Sequence, residues 1–185
     1  MMRNGSTFDV LGQLAALRRY ARSLTRDDAD AEDLVQDALV RAYEKRAGFD
    51  PERGDTRQGL RGWLFSILHN VFVDRRRARQ AAAERERQLA EIETATGEPV
   101  QEHHMRLAQI RDAFMTLPEE QRAALHLVAM EGLGYAEAAA ALGIPQGTLM
   151  SRLSRARAAL RAVEDGTAAS RPRLKIVGGP DEPSR

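Results

Sequence analysis

Ser151, Arg152, Ser154, Arg155, Arg157 and Arg161 put hydroxyl and guanidinium groups into one short stretch, with no acidic residue between Gln146 and Val163. Groups of this kind meet phosphate oxygens and base edges, as a recognition helix does in a major groove. A face of this composition can also be simply solvated, because cations favour the C-terminal end of a helix dipole. A second basic group, Arg75, Arg76, Arg77 and Arg79, follows directly on an apolar segment and Asn70. Beside a loop able to admit splayed bases, such a surface suits single-stranded or melted DNA. The opposite charge is gathered upstream, where Asp27, Asp28, Asp30, Glu32, Asp33 and Asp37 stand in a run that contains no base.

Other chemistries find little support. His69, His103, His104 and His126 fall on different expected elements, and two adjacent histidines on a helix diverge instead of converging on one metal. The acidic run has no histidine beside it, and there is no phosphate-binding Gly-rich loop and no nucleophile elbow. The expectation is therefore no catalytic residue, no metal, no cofactor and no small-molecule substrate. The chain has 185 residues, 43% hydrophobic and 30% charged, with a net charge of +1 that conceals strong segregation of acids from bases. It contains no cysteine, which fits a reducing cytosol. No apolar run approaches the roughly 18 residues of a membrane span, and the start MMRNGSTFDV lacks the order of a signal peptide. A cytoplasmic protein that is not membrane-inserted is expected.

The elements that must carry these groups are helices. Val10, Leu14, Leu17, Ala21 and Leu24 form one helical stripe, with Arg18, Arg19 and Arg22 on the other faces. In the next helix Leu34, Val35, Ala38, Leu39, Ala42 and Tyr43 define a buried face, leaving Asp33, Gln36, Asp37, Val40, Arg41 and Glu44 outside. Residues 45–59, KRAGFDPERGDTRQG, read as a long loop. Trp63, Leu64, Ile67, Leu68, Val71 and Phe72 then give a third helix a broad apolar face, with Trp63 expected in the core. Residues 81–93 are charged and helix-prone, and 94–100, TATGEPV, read as a flexible linker. Beyond it, Leu107, Ile110 and Phe114 share a stripe, and Leu117-Pro118-Glu119-Glu120 opens another helix. A short helix at Tyr135–Leu142, the turn Gly143-Ile144-Pro145 and a helix over 146–160, striped by Leu149, Leu153, Ala156 and Leu160, complete a helix-turn-helix. The fold class is all-α, with two small helical domains (1–93 and 101–163), the second carrying the helix-turn-helix. Residues 164–185 read as a disordered tail.

In order and spacing, the chain resembles a bacterial RNA polymerase sigma factor of the extracytoplasmic function (ECF) class. DAEDLVQDALVRAY (30–43) resembles the family's core-polymerase-binding helix, and LRGWLFSILHNVFVDRRR (60–77) its promoter-melting helix. LPEEQRAALHLVAMEGLGYAEAAAALGIPQGTLMSRLSRARAAL resembles its C-terminal promoter-reading domain. The resemblance implies that Asp33, Gln36, Asp37 and Arg41 contact the clamp helices of core polymerase, and that the 45–59 loop captures an unpaired minus-ten base. It implies Asn70, Arg75 and Arg76 along the melted minus-ten strand, and Gln146, Thr148, Ser151, Arg152 and Arg155 on the minus-thirty-five duplex. It also implies a partner anti-sigma protein. Met150 departs from the family pattern, standing where a basic residue is common. Two alternatives stay open on sequence: a helix-turn-helix regulator that does not replace the sigma subunit, and a sigma-like decoy for an anti-sigma protein.

Overall fold

The computed structural model describes residues 10–49, 56–87 and 105–169. Among these residues the regular structure is helical: α1 (Leu14–Thr25), α2 (Asp28–Lys45), α3 (Thr56–Arg87), α4 (Met105–Thr116), α5 (Glu119–Leu125), α6 (Tyr135–Leu142) and α7 (Gln146–Ala169). The expected 94–100 linker and the histidine pair at 103 and 104 lie outside the described residues.

The corner between α1 and α2 explains part of the acidic run. Arg26, in the left-handed region at φ 62°, ends α1. Asp27 then caps α2, its side chain accepting the Asp30 N–H at 2.8 Å. Asp28 and Asp30 sit in the first turn, where the helix dipole favours acids. Flanking helices supply counter-charges: Arg18 and Arg22 of α1 pair with Glu32 and Asp28, both at 2.9 Å, and Arg79 of α3 pairs with Asp30 at 3.2 Å.

On α2 the residues Ala31, Leu34, Val35, Ala38 and Ala42 are buried. Tyr43, expected on that face, is instead 62% exposed, with the Arg46 guanidinium 3.8 Å from its ring centroid. It lies about 100° round the helix from Ala42, beyond the reach of the covering helices. α3 starts at Thr56, so the last four residues of the expected 45–59 loop are helical. Phe49 and Trp63 meet at 5.2 Å between ring centroids, which pins the near end of that connection to a half-buried Trp63.

The wide apolar face of α3 comprises Leu60, Leu64, Phe65, Ile67, Leu68, Val71 and Phe72, all buried. Its width has a cause that a partner in α2 alone does not supply: α3 packs on α1, α2 and α6. The Ala-rich α6 buries Ala138, Ala139, Ala141 and Leu142 because it is sandwiched between α3 and α7. Small side chains let the helix backbones approach on both sides. Gly143, at φ 63°, ends α6 in the left-handed conformation and donates its N–H to Ala140 O at 3.1 Å. Leu149, Leu153 and Ala156 of α7 are buried as their stripe requires, and α7 continues past Glu164 to Ala169.

The two halves do not keep separate cores. One contiguous apolar cluster runs from Ala16 to Ala156. Full burial of side chains such as Leu17, Leu34, Phe65 and Leu149 contributes about 1.5–3 kcal/mol each. The seam between the halves also carries charge. Arg122 of α5, 2% exposed, donates to the backbone carbonyls of Ser23 and Leu24 at the end of α1, and to Met115 O and Leu117 O. Burial lowers its pKa to about 10, which leaves it protonated at neutral pH. Tyr20 of α1 is wholly buried at the same seam, with Phe65 and His126 at ring-centroid distances of 5.4 and 5.2 Å.

Candidate nucleic-acid interface

The outer face of α2 is positioned as its stripe predicts, and Asp33, Gln36, Asp37 and Arg41 are all exposed. They are not all unengaged. Asp37 Oδ2 accepts Arg75 Nε of α3 at 3.0 Å and also its Nη2, which donates to Asp33 O at 3.1 Å. Arg41 lies 3.9 Å from Asp74. The acidic surface of α2 and the basic surface of α3 are therefore joined by ion pairs along two antiparallel helices, Arg41 with Asp74, Asp37 with Arg75 and Asp30 with Arg79.

Asn70 is exposed on α3 and lines a cleft of about 420 Å³ with Arg41, Lys45, His69, Asp74 and Arg77, closed on the far side by Leu142 and Gly143 of the helix-turn-helix. Arg76 is exposed as well, yet its Nη1 pairs with Glu119 Oε1 of α5 at 2.6 Å. Three residues assigned to one strand thus point in different directions in this arrangement. Asn70 faces the helix-turn-helix, Arg75 is tied to α2, and Arg76 is tied to α5.

On α7, Gln146, Ser151 and Arg155 are exposed and Thr148 is half-buried. The Ser151 hydroxyl donates to Thr148 O at 2.8 Å, so its proton is committed and its lone pairs face outward. Met150 is exposed beside it. Arg152 is turned inward, its side chain 19% exposed and its Nη2 2.8 Å from Glu120 Oε2. Its charge reaches His69 of α3, where burial first and Arg152 second lower the imidazole pKa to about 4. The Tyr20 hydroxyl lies 3.1 Å from His69 Nδ1, and burial raises the phenol pKa, so the phenol donates and the ring accepts.

Sequence reasoning did not find the residues that join the two halves. Glu131, whose side chain is fully buried, accepts Arg19 Nε at 3.1 Å, Arg19 Nη2 at 3.0 Å, Arg61 Nη2, and His126 Nε2 at 3.2 Å. With a carboxylate accepting at Nε2, the proton of the neutral ring sits there, and Nδ1 is left without a partner. Among the described residues no group of three or more His, Asp or Glu side chains is arranged to hold a metal. No described helix is long and apolar enough to cross a membrane.

A basic surface on α3 and a helix-turn-helix formed by α6 and α7 are features of a DNA-binding protein. The family comparisons agree: Sigma-70 region 2 matches residues 13–82, and Sigma-70 region 4 matches residues 107–160. The chain is 37% identical over 156 residues to the ECF RNA polymerase sigma factor EcfG of Rhodopseudomonas palustris, covering 84% of this chain and 82% of that one. It is 39% identical over 151 residues to SigL of Mycobacterium tuberculosis, covering 80% and 81%. Among solved structures it is similar to the sigma factor RpoE of Bartonella quintana, determined with the anti-sigma factor NepR. There the TM-score is 0.67 at 35% identity, over 84% of this chain and 94% of that one. The chain belongs to the ECF RNA polymerase sigma factors. It binds core RNA polymerase and directs promoter-specific initiation.

Proposed function

We propose that the exposed face of α2 formed by Asp33, Gln36, Asp37 and Arg41 docks on the clamp helices of the polymerase largest subunit. The observation that carries this reading is the solvent exposure of all four side chains on the face opposite the buried Ala31, Leu34, Val35, Ala38 and Ala42. In the same reading Asn70, Arg75 and Arg76 of α3 hold the melted minus-ten strand, where guanidinium groups meet phosphates and amides meet bases. Gln146, Thr148, Ser151, Arg152 and Arg155, on the first turns of α7, hold the minus-thirty-five duplex. The domain boundaries that go with these roles are 1–93, a linker at 94–100, and 101–163. The protein acts in the cytoplasm, has no enzymatic activity of its own, and is held in check by an anti-sigma protein, as RpoE of Bartonella quintana is bound by NepR.

Run-off transcription with purified core polymerase on a promoter library tests the reading as a whole. Specific initiation that fails with Asp33→Arg plus Asp37→Arg, and separately with Arg152→Ala plus Arg155→Ala, is the expected result. Specific initiation unaffected by both pairs removes the residue assignments.

A further inference from the structure

Two stripes of polar side chains meet in the cleft of about 420 Å³ between α2, α3 and the end of α6. Arg41 and Lys45 come from α2, and Asn70, Asp74 and Arg77 from α3. Spacings of three and four put each set on one side of its helix. The cations Arg41, Lys45 and Arg77 share the cleft with a single acid, Asp74, whose distance from Arg41, 3.9 Å, is long for an ion pair. Lys45 and Arg77 make no ion pair or hydrogen bond among the described residues. The neighbouring arginines of α3 differ in this respect: Arg75 is held by Asp37, Arg76 by Glu119 and Arg79 by Asp30. A cation at the end of α2 suits the helix dipole, which accounts for Lys45 alone; Arg77 is well inside α3. Like charges four apart on a helix also repel, so Arg41 and Lys45 oppose one another until an anion lies between them.

The rest of the lining can recognise more than charge. Asn70 offers amide donors and an acceptor. The Tyr20 phenol donates to His69 Nδ1, so the proton of that neutral ring is on Nε2, for which no described residue is an acceptor. Ile67, Val73 and Leu142 add an apolar wall. The volume falls in the range of about 300–1,000 Å³ usual for small-molecule clefts, which combine apolar walls with a few placed polar groups. A nucleic-acid strand needs a groove that tracks its backbone past the site, whereas Leu142 and Gly143 wall this cleft on one side. We propose that the cleft binds a small phosphorylated molecule with two or more negative charges, its phosphates on Arg41, Lys45 and Arg77 and any ring against the apolar wall. Once bound, it covers Arg41 and Asn70 and so competes with the polymerase and melted-strand contacts proposed for them. The site itself does not depend on those roles, and their failure in transcription assays leaves it standing.

The test titrates the full chain with inorganic pyrophosphate, ADP and adenosine by calorimetry, at about 0.15 M salt so that distant exposed charges are screened. Thermal denaturation with each compound is the second readout, since a molecule that binds the folded chain raises its midpoint. Pyrophosphate and ADP are expected to bind and to raise the midpoint, and adenosine is not. ADP binding about tenfold more tightly than pyrophosphate identifies a nucleotide as the ligand, and equal affinities identify a free di- or polyphosphate; both support the site. Lys45→Gln with Arg77→Gln removes two cations without described partners, so this variant should fold with an unchanged or higher midpoint. It should bind both phosphates at least about tenfold more weakly. Arg111→Gln with Arg157→Gln, the same loss of charge at exposed positions outside the cleft, should change affinity by less than about twofold. No binding of either phosphate at about 1 mM overturns the proposal, as does equal weakening by the two double variants. A single-stranded oligonucleotide that loses affinity in the Lys45 and Arg77 variant, while none of the small molecules binds, assigns these cations to DNA and also overturns it.

Discussion

Arg19 and Glu131, 112 positions apart, form a bidentate pair with both carboxylate oxygens engaged, at 3.1 and 3.0 Å. The carboxylate is fully buried and the guanidinium half-exposed, so the charge most in need of a partner is the acid. Removing it leaves Arg19 and Arg61 access to water, which limits the loss. Glu131→Gln should therefore destabilise the chain by about 2 kcal/mol, less than the about 3–5 kcal/mol of a fully enclosed broken pair. Urea denaturation followed by circular dichroism measures it, and an unchanged midpoint would show that the pair contributes nothing to folding.

A pH dependence follows from two histidines. Burial lowers both His69 and His126 to about 4, with Arg152 adding to the effect at His69, while at His126 the Glu131 carboxylate opposes it without prevailing. Both rings are neutral in the folded chain, whereas the unfolded chain protonates them below about 6.5. The unfolded state then binds more protons between pH 6.5 and 4, so this part of the stability is complete above about 6.5 and is lost as pH falls toward 4. His126→Asn should flatten the slope of denaturation midpoint against pH in that window. The same slope in the variant and the native chain would count against a buried neutral ring at this position.

Cleavage within 94–100 should leave the two pieces associated. Gly97 and Pro99 make this stretch an expected site of attack, while the apolar cluster runs through both halves. A nicked chain should elute from a sizing column with the intact one and separate in urea well below the midpoint of the intact chain. Pieces that part at once in native buffer would mean that the shared core is too weak to matter.

Asp33→Arg with Asp37→Arg should abolish capture by core polymerase, and the structure adds a second effect. Asp37 holds Arg75, so the reversed charge also repels a guanidinium assigned to the melted strand. Asp37→Asn separates the two, since it releases Arg75 and costs only about 1 kcal/mol, the pair being partly exposed on the Asp37 side. Pull-down with core polymerase should show near-complete loss for the double reversal and partial loss for Asp37→Asn. Full retention by the folded double variant would remove this face from the polymerase contact.

Much of the chain was legible because local chemistry punctuates it. Gly143 and Pro145 set the ends of α6 and the start of α7, and the stripes of α2 and α7 gave the buried residues Leu34, Ala38, Leu149 and Leu153. Misses arose where partners are distant in sequence. Arg122 and Glu131 were given no role and Arg19 only a place on an outer face, because periodicity carries no information about partners 99 or 112 positions apart. Glu119 and Glu120 read as first-turn acids, an explanation sufficient for a helix start and silent about Arg76 and Arg152. The breadth of the α3 face was visible, but its second partner, α6, was not. The candidate site residues were singled out by type and order, which do not disclose that Arg75 pairs with Asp37, Arg76 with Glu119 and Arg152 with Glu120.

The seam that joins the halves is rich in charge, and this bears on solubility. When Arg19, Arg61, Arg122 and Glu131 separate, each regains a hydration shell, so the surfaces uncovered are ionic in part and not one greasy patch of the size that drives non-specific association. A seam of leucines in the same place would hold as firmly and would precipitate each time it opened. The buried ions therefore make the two faces of the seam less prone to aggregate wherever they are uncovered, in partly unfolded chains above all.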